Sequence, residues 1–257
     1  MDPRANFGLT ADDYARYRAG FPDAFFERVL EDEYIRPGAS LVDLGTGTGT
    51  LARGFARRGC RVIGIDLSAP MLEQAAALDK AAGVSVDYRV GMAEKTGLPD
   101  ASTDVVSAGQ CWHWFDRPRA AAEVRRILNP GGHVIIAHFD WIPLPGNVVE
   151  ATEMLIEEHN PEWKYGGGNG MYPEWLTDLG EAGFVDIRTF SFDIHVPYSP
   201  EAWLGRIRAS AGVGASLSAE AVVRFDGDLA RVLKNRFPAS TLQVPHRTFA
   251  VLATKPV

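Results

Sequence analysis

With 257 residues, 46% of them hydrophobic and 23% charged, the chain is long enough to bury one large core without disulfides and short for two independent domains. Its formal net charge of −7, with lysines and arginines scattered along the sequence, offers no basic face to neutralise a phosphate backbone, so nucleic acid is not expected as a partner. Two cysteines without metal-ligand spacing, and no run of ~18 apolar residues, point to a cytoplasmic protein with no disulfide framework and no membrane span.

In chain order, residues 22–35 (PDAFFERVLEDEYI) place apolar side chains at helical spacing, and Pro37-Gly38 ends them. Residues 41–44 form a short buried strand, followed by a Gly/Thr turn, a helix over 51–59 and a second strand, RVIGID, over 61–66. The alternation continues with a helix over 68–83, strands over 84–90 and 104–110, a helix over 117–128, a turn at Asn129-Pro130-Gly131-Gly132 and a strand over 133–139. Strands alternating with helices predict a mostly parallel sheet covered on both faces. After His138 the pattern breaks: a helix candidate spans 146–160, aromatic residues surround the glycine-rich 166–170, two further helices lie within 197–243, and strands are expected at 187–196 and 248–254. One domain over 1–257 is expected, with an N-terminal helical cover (1–36), a ligand-binding core (37–138) and two insertions (139–183 and 197–243) near the ligand edge of the sheet.

Gly45, Gly47 and Gly49 lie between a buried strand and a helix start, where backbone can approach a ligand and free amides are available. Position 50, where a dinucleotide fingerprint would carry Gly or Ala, is Thr50. Asp66 ends the next strand, where a carboxylate can accept from both hydroxyls of a ribose. Together the two features predict a nucleoside ligand rather than a nicotinamide dinucleotide.

The segments LVDLGTGTG, VIGIDLS with Met71, GMAEKTGLPDASTDVV, SAGQCWHWFD and LNPGGHVII follow in order over about 41–137. They resemble the class I S-adenosylmethionine-dependent methyltransferases, in the small-molecule group that includes ubiquinone-biosynthesis and trans-aconitate methyltransferase-like proteins. The resemblance implies a Rossmann-like α/β fold with a seven-stranded, mostly parallel sheet, S-adenosyl-L-methionine as cofactor and S-adenosyl-L-homocysteine as product. It further implies that Gly45, Thr46, Gly47 and Gly49 pack against the methionine and ribose, that Asp43 sits behind the loop, and that Asp66 holds the ribose diol. Leu67 and Met71 would bracket the adenine, with Met92, Ala93 and Glu94 at its edge; Met92 stands where the group often has Asp. Gln110 would line the methionine side. Tyr14, Tyr17 and Arg18 resemble a segment that closes over the cofactor; Arg18 either pairs with the methionine carboxylate or is a solvated helix charge.

A sulfonium methyl is already electrophilic, so transfer chiefly needs an aligned acceptor in a water-poor pocket, and a base where the nucleophile is protonated. His113, beyond the fourth strand, has two readings: a general base, or a side chain that packs among Trp112, Trp114 and Phe115 or caps the helix near Asp116. The other histidines, His133, His138, His159, His195 and His246, lack ligand spacing, so no metal is expected. Trp112, Trp114, Phe139, Trp141, Trp163, Tyr165, Tyr172 and Trp175 would furnish an apolar or aromatic acceptor pocket, with 163–172 as a mobile cover. The expected reaction is O-methylation of a hydroxyl or carboxylate on a small organic molecule; N- or C-methylation, or cofactor binding without catalysis, are the alternatives.

Overall fold

The computed structural model describes residues 16–257; Tyr14 lies outside the described residues. Helix α1 (Asp23–Glu31) turns Phe25, Phe26 and Val29 inward. Then come β1 (Ser40–Leu44), α2 (Thr50–Arg57), β2 (Arg61–Asp66), α3 (Ala69–Ala82), β3 (Asp87–Val90), β4 (Thr103–Gly109), α4 (Arg117–Ile127) and β5 (Leu128–Trp141). The remainder is α5 (Val148–His159), α6 (Glu174–Glu181), β6 (Val185–Tyr198), α7 (Pro200–Arg208), α8 (Ala219–Arg236) and β7 (Leu242–Thr254).

The seven strands form one sheet in the order β3-β2-β1-β4-β5-β7-β6. Neighbours from β3 to β5 pair in parallel, whereas β7 runs antiparallel to both β5 and β6. The expected seven-stranded, mostly parallel sheet is therefore present. Strand order reverses between β1 and β4, and crevices at the carboxyl ends of such a switch point are where open α/β sheets bind ligands.

Two buried clusters line the faces of the sheet. One packs Phe25, Phe26, Leu51 and Phe55 against Leu41, Val105, Ile135 and Leu252. Gly54 makes this possible, because a side chain there would overlap the Phe26 ring. The other packs Val124, Ile127, Trp175 and Leu179 against Val106, Val134, Ile136 and Val251. Each fully buried aromatic or aliphatic side chain contributes about 1.5–3 kcal/mol.

The stretch 139–183, expected to be an insertion, divides. Residues 139–141 prolong β5 against β7, and α6 lies on the sheet beside α4, with Trp175 and Leu179 fully buried. Only α5 joins α7 and α8 in a cap with its own core of Val149, Ile156, Trp203, Ile207, Phe225 and Leu229. Side chains of Asn147, Ser199 and Ser218 accept from backbone N–H groups at the three cap-helix starts, as N-cap residues do. β7 is longer than its apolar run 248–254 suggests, because Val244 and His246 are buried on the same face while Pro245 interrupts the apolar pattern. Among the described residues no helix is long and apolar enough to cross a membrane.

Candidate active site

The loop from β1 to α2 is shaped by three glycines in the left-handed region: Gly45 (φ +59°), Gly47 (φ +55°) and Gly49 (φ +76°). A side chain on Gly45 would come within 2.8 Å of Cys111 Sγ. Behind the loop, Asp43 is 1% exposed and accepts from Thr46 Oγ1 and Ser107 Oγ, each at 2.6 Å. Burial pushes its carboxyl up to about 6, and the two hydroxyls partly offset this. Asp66 accepts from the Gly47 N–H at 2.8 Å and the Ser68 N–H at 2.9 Å, one on each oxygen. It therefore fastens the glycine loop to the β2–α3 turn, and each oxygen retains a lone pair for a hydroxyl.

Leu67 and Met92 are exposed beside Asp66, and buried Met71 lies under Gly47. These are the apolar walls a flat base requires. The Ala93 side chain packs into the core, which leaves its backbone at the position expected to meet the adenine edge, and Glu94 accepts from the Asp116 N–H at 2.9 Å, which ties its loop to the start of α4. Gln110 has an unusual backbone (φ +62°) and donates through Nε2 to the Phe139 carbonyl at 2.7 Å. Its Oε1 is buried without a partner among the described residues, an acceptor that a cofactor ammonium group would satisfy. Glycine backbone, strand-terminal carboxylate, apolar slot and orphan acceptor together fit a nucleoside-containing amino acid.

A brace under this cradle escaped sequence reasoning. Arg53 donates to the Thr48 carbonyl at 2.7 Å and pairs with buried Asp79 of α3 at 2.7 Å. Tyr88 of β3 sits beside Asp79, and a side chain on Gly49 would overlap its hydroxyl. The only sequence signal is a lone Asp on the otherwise apolar face of α3.

Across the crevice, His113 lies in a short 3-10 turn, Trp112–Trp114, beyond β4. The cap of α4 is the Asp116 side chain, which accepts from the Arg119 N–H, so His113 does not serve as a cap. His113 Nδ1 is buried without a partner. Ring centroids of Trp114, His138, Tyr172 and Tyr165 lie 4.7, 5.7, 6.3 and 6.4 Å from its own. Desolvation lowers its pKa to about 4; Asp140 pulls upward, while Arg18 and Arg117 push further down. Arg18 thus reaches this half of the crevice through its charge, which also acts on His138 and Asp140.

The structure adds three polar residues here, His138, Asp140 and Arg206. His138, on β5, is 4% exposed, and Tyr172 OH lies 3.3 Å from its Nε2. Asp140, two residues on, accepts from Arg206 of α7 at 3.2 Å. Burial alone would raise the Asp140 carboxyl, but Arg206, His138 and Arg18 hold it below its ordinary value. His246 of β7, by contrast, is buried beside Phe139 on the opposite face of the sheet, with a pKa lowered by desolvation to about 4. In sequence His138 and Asp140 were only interruptions of an apolar strand.

Of the aromatic residues expected to line a pocket, Trp114, Tyr165 and Tyr172 surround His113. The others serve elsewhere, for stated reasons. Trp112 is fully buried and donates to Asp178 at 2.9 Å. Trp175 is a core residue on which Tyr172 stacks at 4.4 Å. Trp141 donates to Glu153 at 2.7 Å and carries the Arg206 guanidinium on its face. Phe139 packs on Phe21 and His246 on the opposite face of the sheet, and Trp163 packs against Gly166 and Gly212 of the cap. The glycine-rich segment expected to be a cover is tied at two points, Gly167 N–H to Glu153 and Asn169 carbonyl to Arg247.

Residues 42–136 match the family model described as a methyltransferase domain. An uncharacterized methyltransferase of Mycobacterium tuberculosis is 35% identical over 197 residues, covering 69% of this chain and 76% of its own length. The malonyl-[acyl-carrier protein] O-methyltransferase of Serratia marcescens is 36% identical over 112 residues, 43% of this chain and 42% of its own. Among solved structures, phosphoethanolamine N-methyltransferase 2 of Haemonchus contortus, in complex with phosphomonomethylethanolamine and S-adenosylhomocysteine, superposes with a TM-score of 0.57 at 21% identity over 97% of this chain and 57% of that one. At that identity the likeness concerns the fold alone.

Proposed function

The chain belongs to the class I S-adenosylmethionine-dependent methyltransferases, and from that premise we propose that it O-methylates a hydroxyl of a small organic acceptor held between His113 and the aromatic wall of Trp114, Tyr165 and Tyr172. It is an enzyme, and its cofactor is S-adenosyl-L-methionine. The relatives bracket the choice of atom: the Serratia protein is named an O-methyltransferase, the Haemonchus protein an N-methyltransferase. One observation carries the oxygen reading. His113 Nδ1 is buried and unpartnered among the described residues, and its imidazole is neutral throughout the physiological range, so it can accept a proton from a hydroxyl.

When bound, S-adenosyl-L-methionine would supply an electrophilic methyl for the acceptor oxygen, with a neutral thioether as the leaving group. The hydroxyl proton passes to His113 Nδ1, and Asp140 is the anion nearest in effect to stabilise the imidazolium so created. Gly45, Gly47 and Asp66 seat the nucleoside part, and Gln110 Oε1 accepts from the amino end. A base held near 4 is weak, so it removes the proton in concert with transfer and favours an acidic hydroxyl, a phenol or enol, over an alkyl alcohol. The test is initial rates with isotopically labelled cofactor on matched phenols and amines: labelled ethers are expected, and label appearing only on nitrogen would overturn the reading.

A further inference from the structure

The reading of His113 leaves its neighbour unexplained. His138 is more than nine-tenths buried, and its Nδ1 has no partner among the described residues. On its far side Tyr172 OH approaches Nε2 at 3.3 Å, and Tyr172 is itself fixed by near-parallel stacking on Trp175. The direction of this bond can be derived. If Nε2–H donated to the phenol oxygen, the buried phenol proton and the Nδ1 lone pair would both go unmet. If the phenol donates to Nε2, a single group remains, an Nδ1–H donor, and leaving fewer buried groups unsatisfied is the cheaper arrangement. Burial raises the Tyr172 pKa, so the phenol keeps its proton.

Two imidazoles therefore lie side by side, ring centroids 5.7 Å apart and tilted by 56°, one offering a lone pair for a proton and the other a fixed N–H. We propose that the acceptor carries two neighbouring oxygens, a hydroxyl methylated against His113 and, beside it, a carbonyl or ether oxygen that accepts a hydrogen bond from His138 Nδ1–H. This rests on the acceptor site lying at His113. A hydroxyl conjugated with an adjacent carbonyl is also more acidic than an ordinary alcohol, which suits a weak base. Asp140, held by Arg206, sits two residues from His138 on the same strand and completes the polar floor. Tyr172 is a positioning residue, because it acts on the ligand through His138.

The experiment compares isomers that differ in the spacing of the two oxygens. Binding of 2-hydroxyacetophenone and 4-hydroxyacetophenone to the protein saturated with S-adenosylhomocysteine is measured by calorimetry, and methyl transfer to each is measured with S-adenosylmethionine. The ortho isomer is expected to bind on the order of tenfold more tightly, one good hydrogen bond. In His138→Phe the two affinities should converge, and in Tyr172→Phe, which keeps the imidazole but frees its tautomer, the preference should shrink without vanishing. Equal affinities in the unaltered protein, binding of neither isomer, or an ortho preference that survives in a folded His138→Phe protein would each overturn the proposal. Equal transfer to both phenols removes the second oxygen and leaves hydroxyl methylation standing; transfer to benzylamine and to neither phenol removes both.

Discussion

The two halves of the crevice are built by opposite means. At the ends of β1 and β2 the contacts are backbone contacts made within one short run of chain: three glycines with positive φ, and amide groups clamped by Asp66. At the ends of β4 and β5 the working groups are side chains drawn from a 3-10 turn, a strand, a loop and a cap helix: His113, His138, Tyr172 and Arg206. The first half is preformed and tolerates little change in shape. The second specifies chemistry through buried polar side chains, so its substitutions should alter reaction more than cofactor binding.

The sharpest separation comes from His113→Ala. If His113 is the base, kcat should fall by ~10²- to 10⁴-fold with S-adenosylhomocysteine affinity unchanged. With the unaltered enzyme, kcat/KM should be flat down to about pH 5 and fall only near 4, the value to which burial lowers the imidazole. An acid limb centred near 6.5 would place the titrating group elsewhere. Gly49→Ala tests the other half in reverse. A side chain at φ +76° is strained and meets the Tyr88 hydroxyl, so cofactor affinity should drop by about 3 kcal/mol, as measured by calorimetry. Full affinity in that variant would show that the cradle is not preformed.

Asp66→Ala should weaken S-adenosylhomocysteine by ~1.5–3 kcal/mol, because both the ribose bonds and the tie between loop and β2–α3 turn are lost. If binding is unaltered, Asp66 has no role in the nucleoside site.

Acid stability probes the side-chain half. His113 and His246 are lowered to about 4 and His138 to about 3, so protons bind the unfolded chain before the folded one. Their contribution is complete above about 6.5 and is lost as pH falls toward 4, up to about 2 kcal/mol per histidine at pH 5. Asp43, raised to about 6, works in the opposite direction over the same window, as do the raised carboxyls of Asp66 and Glu153, while His133, lowered by burial, adds to the other histidines. The melting temperature should therefore fall between pH 7 and pH 5, and a flat profile would mean these imidazoles are protonated in the fold.

The contrast also explains what the sequence could reveal. The core strands and helices and the turn carrying the glycines are local patterns that fall close to where their residues predict, whereas the helix Glu174–Glu181 and the extension of β5 to Trp141 have no such local signal. His138 and Asp140 lie in a strand whose apolar neighbours mask them, and only the register of β5 on β7 and the seating of α7 bring Arg206 to Asp140. The aromatic residues misled for the same reason: composition shows that Trp112, Trp141 and Trp163 are large and apolar, while which face each occupies is decided by packing partners far away in sequence.

The smallest expected effect asks whether even the backbone half depends on long-range side chains. Tyr88→Phe removes a buried hydroxyl beside Asp79 and should cost about 1 kcal/mol of stability and little cofactor affinity. In the double variant with Gly49→Ala, the added side chain no longer meets that hydroxyl; the next neighbours, Arg53 Nη2 and Tyr88 Cζ, lie 3.2 Å away. The steric part of the Gly49→Ala penalty should then be relieved while the strain of the left-handed backbone persists. A double-mutant cycle on S-adenosylhomocysteine affinity should thus give a favourable coupling of about 1 kcal/mol. Zero coupling would assign the whole penalty to backbone conformation and leave the glycine loop a purely local device; coupling that abolishes the penalty would make Tyr88, on β3, the reason position 49 must be glycine.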